Sequence, residues 1–136
     1  MNRYDVMNYI EGRYDDKPEA LWEQFPDYIV FRHRQNGKWF AVIMNVDTTS
    51  VGINEEGPRT MVNSTEADLL VVKSTPEDVE FWRTQPGYGP AYHMNKRHWI
   101  SILLGGPADE EDILPLIDQS YALTMDLPKR KKGLLW

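Results

Sequence analysis

A chain of 136 residues with 41% hydrophobic content and 5 Trp, 7 Tyr and 4 Phe can bury one domain's core, but is too short for two ordinary domains. With 0 Cys, disulfides, thiolate nucleophiles and cysteine metal sites are excluded. The net charge of −6 hides an asymmetry: residues 1–128 hold 11 basic against 21 acidic side chains, and Lys129, Arg130, Lys131 and Lys132 crowd the end.

An acidic body is poorly suited to tracking phosphates, because nucleic-acid affinity comes largely from cations displacing counterions. No apolar run approaches the roughly 18–20 residues of a membrane span, so no membrane partner is expected. The opening Met1-Asn2-Arg3-Tyr4-Asp5 lacks the charged-then-apolar pattern of a secretory signal. The default expectation is a cytoplasmic monomer.

In chain order, Val6, Met7, Tyr9, Ile10 and Tyr14 fall at helical spacing and predict a helix over residues 2–14, with Gly12 weakening its far end. Pro18 to Trp22 reads as a short helical turn ended by Pro26. Tyr28–Gln35 and Lys38–Val46 flank Asn36-Gly37, which predicts a hairpin with a two-residue type I′ turn. That turn would set Arg34 opposite Trp39, Phe31 opposite Val42 and Ile29 opposite Met44. One face then collects Ile29, Phe31, Phe40, Val42 and Met44, and the other carries Arg32, Arg34 and Trp39. An Arg34–Trp39 cation–π contact of about 0.5–1 kcal/mol is expected there.

Residues 47–66 read as a long polar loop with a short strand at Thr60-Met61-Val62, followed by a buried strand over Asp68–Lys73. Thr75-Pro76-Glu77-Asp78 signals a helix start: a hydroxyl cap, proline at the first position and acids at the positive end. That helix runs to about Thr84, with Val79, Trp82 and Phe81 turned inward. Gln85 to Pro90 reads as a Gly/Pro-rich loop and His98–Leu104 as a strand ended by Gly105-Gly106-Pro107. The last helix begins near Asp109 or Ile113 and ends near Met125. Pro115 favours the later start, with Asp112 as cap. There is no internal repeat or domain boundary: residues 1–128 form a single domain and 129–136 a basic tail.

The segment Ala91-Tyr92-His93-Met94-Asn95-Lys96-Arg97-His98-Trp99 is followed by a strand, a glycine turn and a helix. That helix carries Leu116-Ile117-Asp118-Gln119-Ser120-Tyr121, with Leu127-Pro128-Lys129 after it. Together with Leu70-Val71-Val72-Lys73, Phe31 and Trp39-Phe40-Ala41, this resembles the MmcQ/YjbR family over about residues 20–129. The resemblance implies an α+β fold with an antiparallel β-sheet and helices packed on one face, CyaY-like. It also implies a DNA-binding role, since members carry that label through a likeness of their hairpins to a "double wing". The label rests on fold analogy, and fold alone does not establish function. The long 47–66 loop, Pro115 and the basic tail depart from the family pattern.

Three constellations are candidates for binding. Tyr92, His93, Asn95, Lys96 and Arg97 supply donors suited to phosphate, carboxylate or base edges. The plainer alternative is that Tyr92, Met94 and Trp99 anchor the loop while His93 and Asn95 hold its backbone. Arg32, Arg34, Lys38 and Trp39 interleave cations with an aromatic on the outer hairpin face, or are simply solvated. Lys129 and Arg130 open a basic run that suits acidic partners, or merely solubilises the end.

His93 and His98 are spaced poorly for a shared metal, and Asp109, Glu110, Glu111 and Asp112 are explained by the helix dipole. No GxSxG, Walker, GxGxxG or HExxH pattern occurs. The expectation is therefore a binding module without cofactor, metal or catalytic residues. Its partner is DNA, or alternatively an acidic peptide or small anion at the 92–98 loop. A continuous basic stripe from hairpin to loop would favour DNA, whereas an isolated cationic site among acids would favour the small anion.

Overall fold

The computed structural model describes residues 1–48 and 66–125. The helix α1 (Arg3–Tyr14) opens with a capping box: Asn2 accepts from the Asp5 N–H and Asp5 accepts from the Asn2 N–H. It is closed by Asp15 in the left-handed region, φ 55°. Strands β1 (Ile29–Arg32), β2 (Trp39–Asp47) and β3 (Glu66–Lys73) follow, then α2 (Pro76–Trp82), β4 (Tyr88–Pro90), β5 (Trp99–Leu103) and α3 (Glu110–Thr124). The five strands form one antiparallel sheet in the order β1-β2-β3-β5-β4. This is the expected α+β class.

All three helices cover one face of the sheet. Val6 and Ile10 of α1, Val79 of α2 and Ile113, Leu116 and Ile117 of α3 pack with Phe31, Ile43, Leu70, Val72, Ile100 and Ile102. The opposite face is buried too, but under side chains rather than helices. Val30, Val42, Met44, Leu69 and Val71 lie beneath Trp22, Tyr28, Trp39, Tyr92, Met94 and Trp99. Two covered faces explain why β2 and β3 read as nearly continuous apolar runs instead of alternating.

The hairpin differs from its prediction. Its loop has four residues, closed by the Gly37 N–H donating to the His33 carbonyl and the His33 N–H donating to that of Lys38. Ile29 therefore pairs with Ile43, Phe31 with Ala41 and Arg32 with Trp39, with a bulge between. A bulge sets two residues against one, and here Phe40 and Ala41 both enter the helix-side core. Val42 and Met44 turn to the other face. The cause is tertiary: the Asn36 amide donates to the Thr124 carbonyl at the end of α3, and its oxygen accepts from Lys38 N–H. Only Gly37 of the Asn-Gly pair has positive φ, so no type I′ turn forms.

Four further expectations shift. Residues 18–22 form no helical turn; Glu19 instead bridges Val30 at the free edge of β1. Tyr88–Pro90 is an edge strand, a place where proline is tolerated. Phe81 is exposed rather than inward. The last helix begins at Glu110 with Asp109 as N-cap, so Pro115 lies inside it and leaves the exposed Glu111 carbonyl without its helical donor. The predicted strand at 60–62 and the 129–136 tail lie outside the described residues.

The start of α1 is tied to β3 by a two-pronged ion pair. Arg3 reaches Asp68 through Nε at 2.8 Å and Nη2 at 2.7 Å, and Asn45 also donates to Asp68. The hydrogen bond from Arg3 is the main reason that the Asp68 carboxyl titrates below its ordinary value. A carboxyl depressed in the folded state stabilises the fold above its unfolded pKa of about 3.9, and that stability is lost as pH falls through the folded value. Thermal midpoints measured between about pH 5 and 2 should therefore fall less steeply in Asp68→Asn than in the wild type. Parallel curves would show that the pair has no such role.

Candidate functional site

The 92–98 loop is organised by its own side chains. Asn95 Oδ1 accepts from the N–H of Arg97 at 2.9 Å and of His98 at 3.3 Å, an Asx turn that fixes the chain direction. The Tyr92 N–H donates to Ser101 Oγ at 2.9 Å, and the His98 carbonyl accepts from the Ser74 N–H at 2.8 Å. His93 sits at φ 59°, uncommon outside glycine, with its ring 4.0 Å from that of Tyr92. Tyr92, Met94 and Trp99 pack on the second core. These contacts agree with the anchoring role considered for Tyr92, Met94, Trp99 and Asn95.

The anchored loop holds three side chains in solvent. His93, Lys96 and Arg97 are exposed, and among the described residues Lys96 and Arg97 make no ion pair. Neither His93 nor His98 meets a carboxylate there, and no three His, Cys, Asp or Glu converge as metal ligands among the described residues.

The hairpin cations are differently placed. Arg32 forks onto Glu19 with contacts of 2.7 and 2.8 Å. Arg34 donates to the carboxylate and the carbonyl of Asp15. Arg34 therefore does not lie over Trp39, whose strand partner is Arg32. Trp39 is half-buried and meets Trp22 edge-on at 5.7 Å. Lys129 and Arg130 fall outside the described residues.

A second constellation was not legible in the sequence. Three acids (Asp15, Asp16, Glu19) and three bases (Lys17, Arg32, Arg34) line, with His33, a cleft of about 720 Å³ between the end of α1 and the hairpin turn. His33 is buried, with Nε2 2.8 Å from Thr124 Oγ1. Behind it, Tyr14 stacks on Tyr121 at 3.8 Å and donates to Asp118, as does Tyr9. Burial, then the hydrogen bond to Asp118, pushes the Tyr14 hydroxyl up to about 12, so it is a structural donor at neutral pH. The Asp-Asp after α1 was the available signal, but it reads equally well as a helix stop.

Among the described residues, a five-stranded antiparallel sheet carries three helices on one face and an aromatic layer on the other, which defines an α+β fold. The chain belongs to the YjbR family, which it matches over residues 14–123. It is 36% identical over 124 residues to the uncharacterized protein YyaQ of Bacillus subtilis, covering 91% of this chain and 98% of that one. The uncharacterized protein YjbR of Escherichia coli is 36% identical over 66 residues, 47% of this chain and 56% of its own. A crystal structure from Pseudomonas syringae is similar at a TM-score of 0.81 with 43% identity, covering 92% of this chain and 100% of its own. A Deinococcus radiodurans protein shares the fold at 0.65 and 21% identity, covering 98% of this chain and 82% of its own. No helix among the described residues is long and apolar enough to cross a membrane.

Proposed function

We propose that this protein is a binding module for a small anionic ligand, received by His93, Lys96 and Arg97. The observation that carries the reading is the contrast between two sets of cations. Arg32 and Arg34 are engaged by Glu19 and Asp15, whereas Lys96 and Arg97 are exposed and without ion pairs among the described residues. Arg32 and Arg34 are thus neutralised where a continuous stripe toward the loop would need them. A net-negative body repels a polyanion strongly but a single carboxylate or phosphate far less.

The anchored backbone lowers the ordering cost of binding, and Arg97 offers a planar fork suited to a carboxylate or phosphate. DNA is the second reading, supported by the aromatic layer bordering the same loop, a platform on which unpaired bases stack. The test is a titration of the full chain with inorganic pyrophosphate and with citrate, followed by amide shifts. Saturable shifts centred on residues 92–98, weakened at least about 10-fold in Lys96→Ala/Arg97→Ala, are expected; each lost charge-assisted contact is worth roughly 1.5–3 kcal/mol. An unchanged affinity in the double variant would remove the loop from the account.

A further inference from the structure

We propose that the small anion received by the 92–98 loop is a nucleoside monophosphate, its phosphate on Lys96 and Arg97 and its base laid against Trp99 beside Lys73. The inference rests on the loop reading above and deepens it.

The strand register supplies the observation. Arg32 pairs with Trp39, and Lys73 pairs with Trp99. Leu69 and Val71 pack in the second core while Leu70 and Val72 pack under the helices, so strand alternation turns Lys73 to the aromatic face. The strands β2 and β5 flank β3, which sets Trp39 and Trp99 to either side of Lys73, both packed on the second core and both half-buried. Cations and indoles therefore alternate in a row across this end of the sheet. Its outer cation is committed, since Arg32 forks onto Glu19. Lys73 is not: among the described residues it makes no ion pair and no cation–π contact, and the hydrogen bond it donates to Ser120 is from its backbone.

The row is continuous with the loop. Trp99 opens β5 directly after the turn held by Asn95, the turn that carries Lys96 and Arg97. A bare phosphate or citrate would use the loop's charges and leave Lys73 and the indoles unused. A ligand that uses both has an anionic end and a flat ring with acceptors on its edge. Aromatic side chains stack on any base, and base edges present ring-nitrogen and carbonyl acceptors that suit the three donors of an ammonium. One phosphate is tolerated by the acidic body far better than a run of them. A cationic ring would meet Lys73, Lys96 and Arg97 as like charges.

The test follows backbone amide and indole N–H shifts of the full chain during titration with adenosine 5′-monophosphate, ribose 5-phosphate and adenosine. The monophosphate should shift residues 92–98 together with the indoles of Trp39 and Trp99, and bind at least about 10-fold tighter than ribose 5-phosphate, which shifts the loop alone. Lys73→Met keeps the stem and removes the ammonium. It should weaken the monophosphate at least about 5-fold, leave ribose 5-phosphate unchanged and leave the unfolding midpoint in place. Equal affinity for the two phosphates, unmoved indole signals or an unaffected Lys73→Met overturns the inference while the loop site stands. Adenosine binding as tightly as its monophosphate, or no shift at 92–98 with either phosphate, overturns the loop reading along with it.

Discussion

Replacing Phe40 with alanine is expected to destabilise the fold by about 3–5 kcal/mol, the range for deleting a buried aromatic. The ring is fully buried and is the common neighbour of Tyr14, Phe31, His33 and Tyr121, at centroid distances of 6.0, 6.3, 5.1 and 4.9 Å. These partners come from α1, β1, the hairpin and α3, so the cavity would open where four segments meet and could not collapse onto one of them. Domains are stable by only about 5–15 kcal/mol, so much of the population should unfold on mild warming. Urea denaturation gives the number. A loss under about 1 kcal/mol would mean that the bulge relaxes and Ala41 takes over the position.

Ser120→Ala is the second large effect, and its cause is polar. The β2–β3 ladder runs from Asp47↔Glu66 to Ala41↔Val72, where it ends. The next bond is supplied by α3: Ser120 Oγ donates to the Phe40 carbonyl at 2.6 Å and accepts from the Lys73 N–H at 2.8 Å. Removing the hydroxyl leaves a donor and an acceptor facing each other across a gap. Each unsatisfied buried group costs about 1–3 kcal/mol, so at least about 2 kcal/mol should be lost. Hydrogen exchange should show the Lys73 amide losing protection beyond the global change. An Ala variant as stable as the parent would show that water or a shifted strand replaces the hydroxyl.

These two residues show how sequence and structure divide the information. Local signals carried the first two helices: the apolar spacing from Val6 to Tyr14 and the Thr75-Pro76 helix start marked α1 and α2 within a residue or two. The β3 and β5 runs were legible because β-branched and aliphatic residues crowd there, and the Tyr92–Trp99 segment carried the family. The hairpin register was not legible. Asn36-Gly37 favours a two-residue turn locally, but the Asn36 amide is drawn to the Thr124 carbonyl 88 residues away. Tyr88–Pro90 looked like a loop because glycine and proline are poor strand formers, yet the edge position beside β5 asks little of them.

The candidate site was legible in its residues but not in its electrostatics. Lys96 and Arg97 were visible as cations beside aromatics. That Arg32 is occupied by Glu19 depends on the bridge between Glu19 and Val30, which no spacing rule announces. The burial of Asp16 likewise follows from the fold of the chain after α1, where a charged tetrapeptide would ordinarily be solvated.

The most direct measurement is fluorescence anisotropy of a labelled random duplex with the chain truncated after Pro128, at about 50 and 150 mM salt. A body whose Arg32 and Arg34 are neutralised should give no saturable binding at the higher salt, while amide shifts with pyrophosphate at residues 92–98 persist. Tight duplex binding that falls steeply with salt and is abolished by Arg32→Ala/Arg34→Ala would contradict the account and make the hairpin face the site.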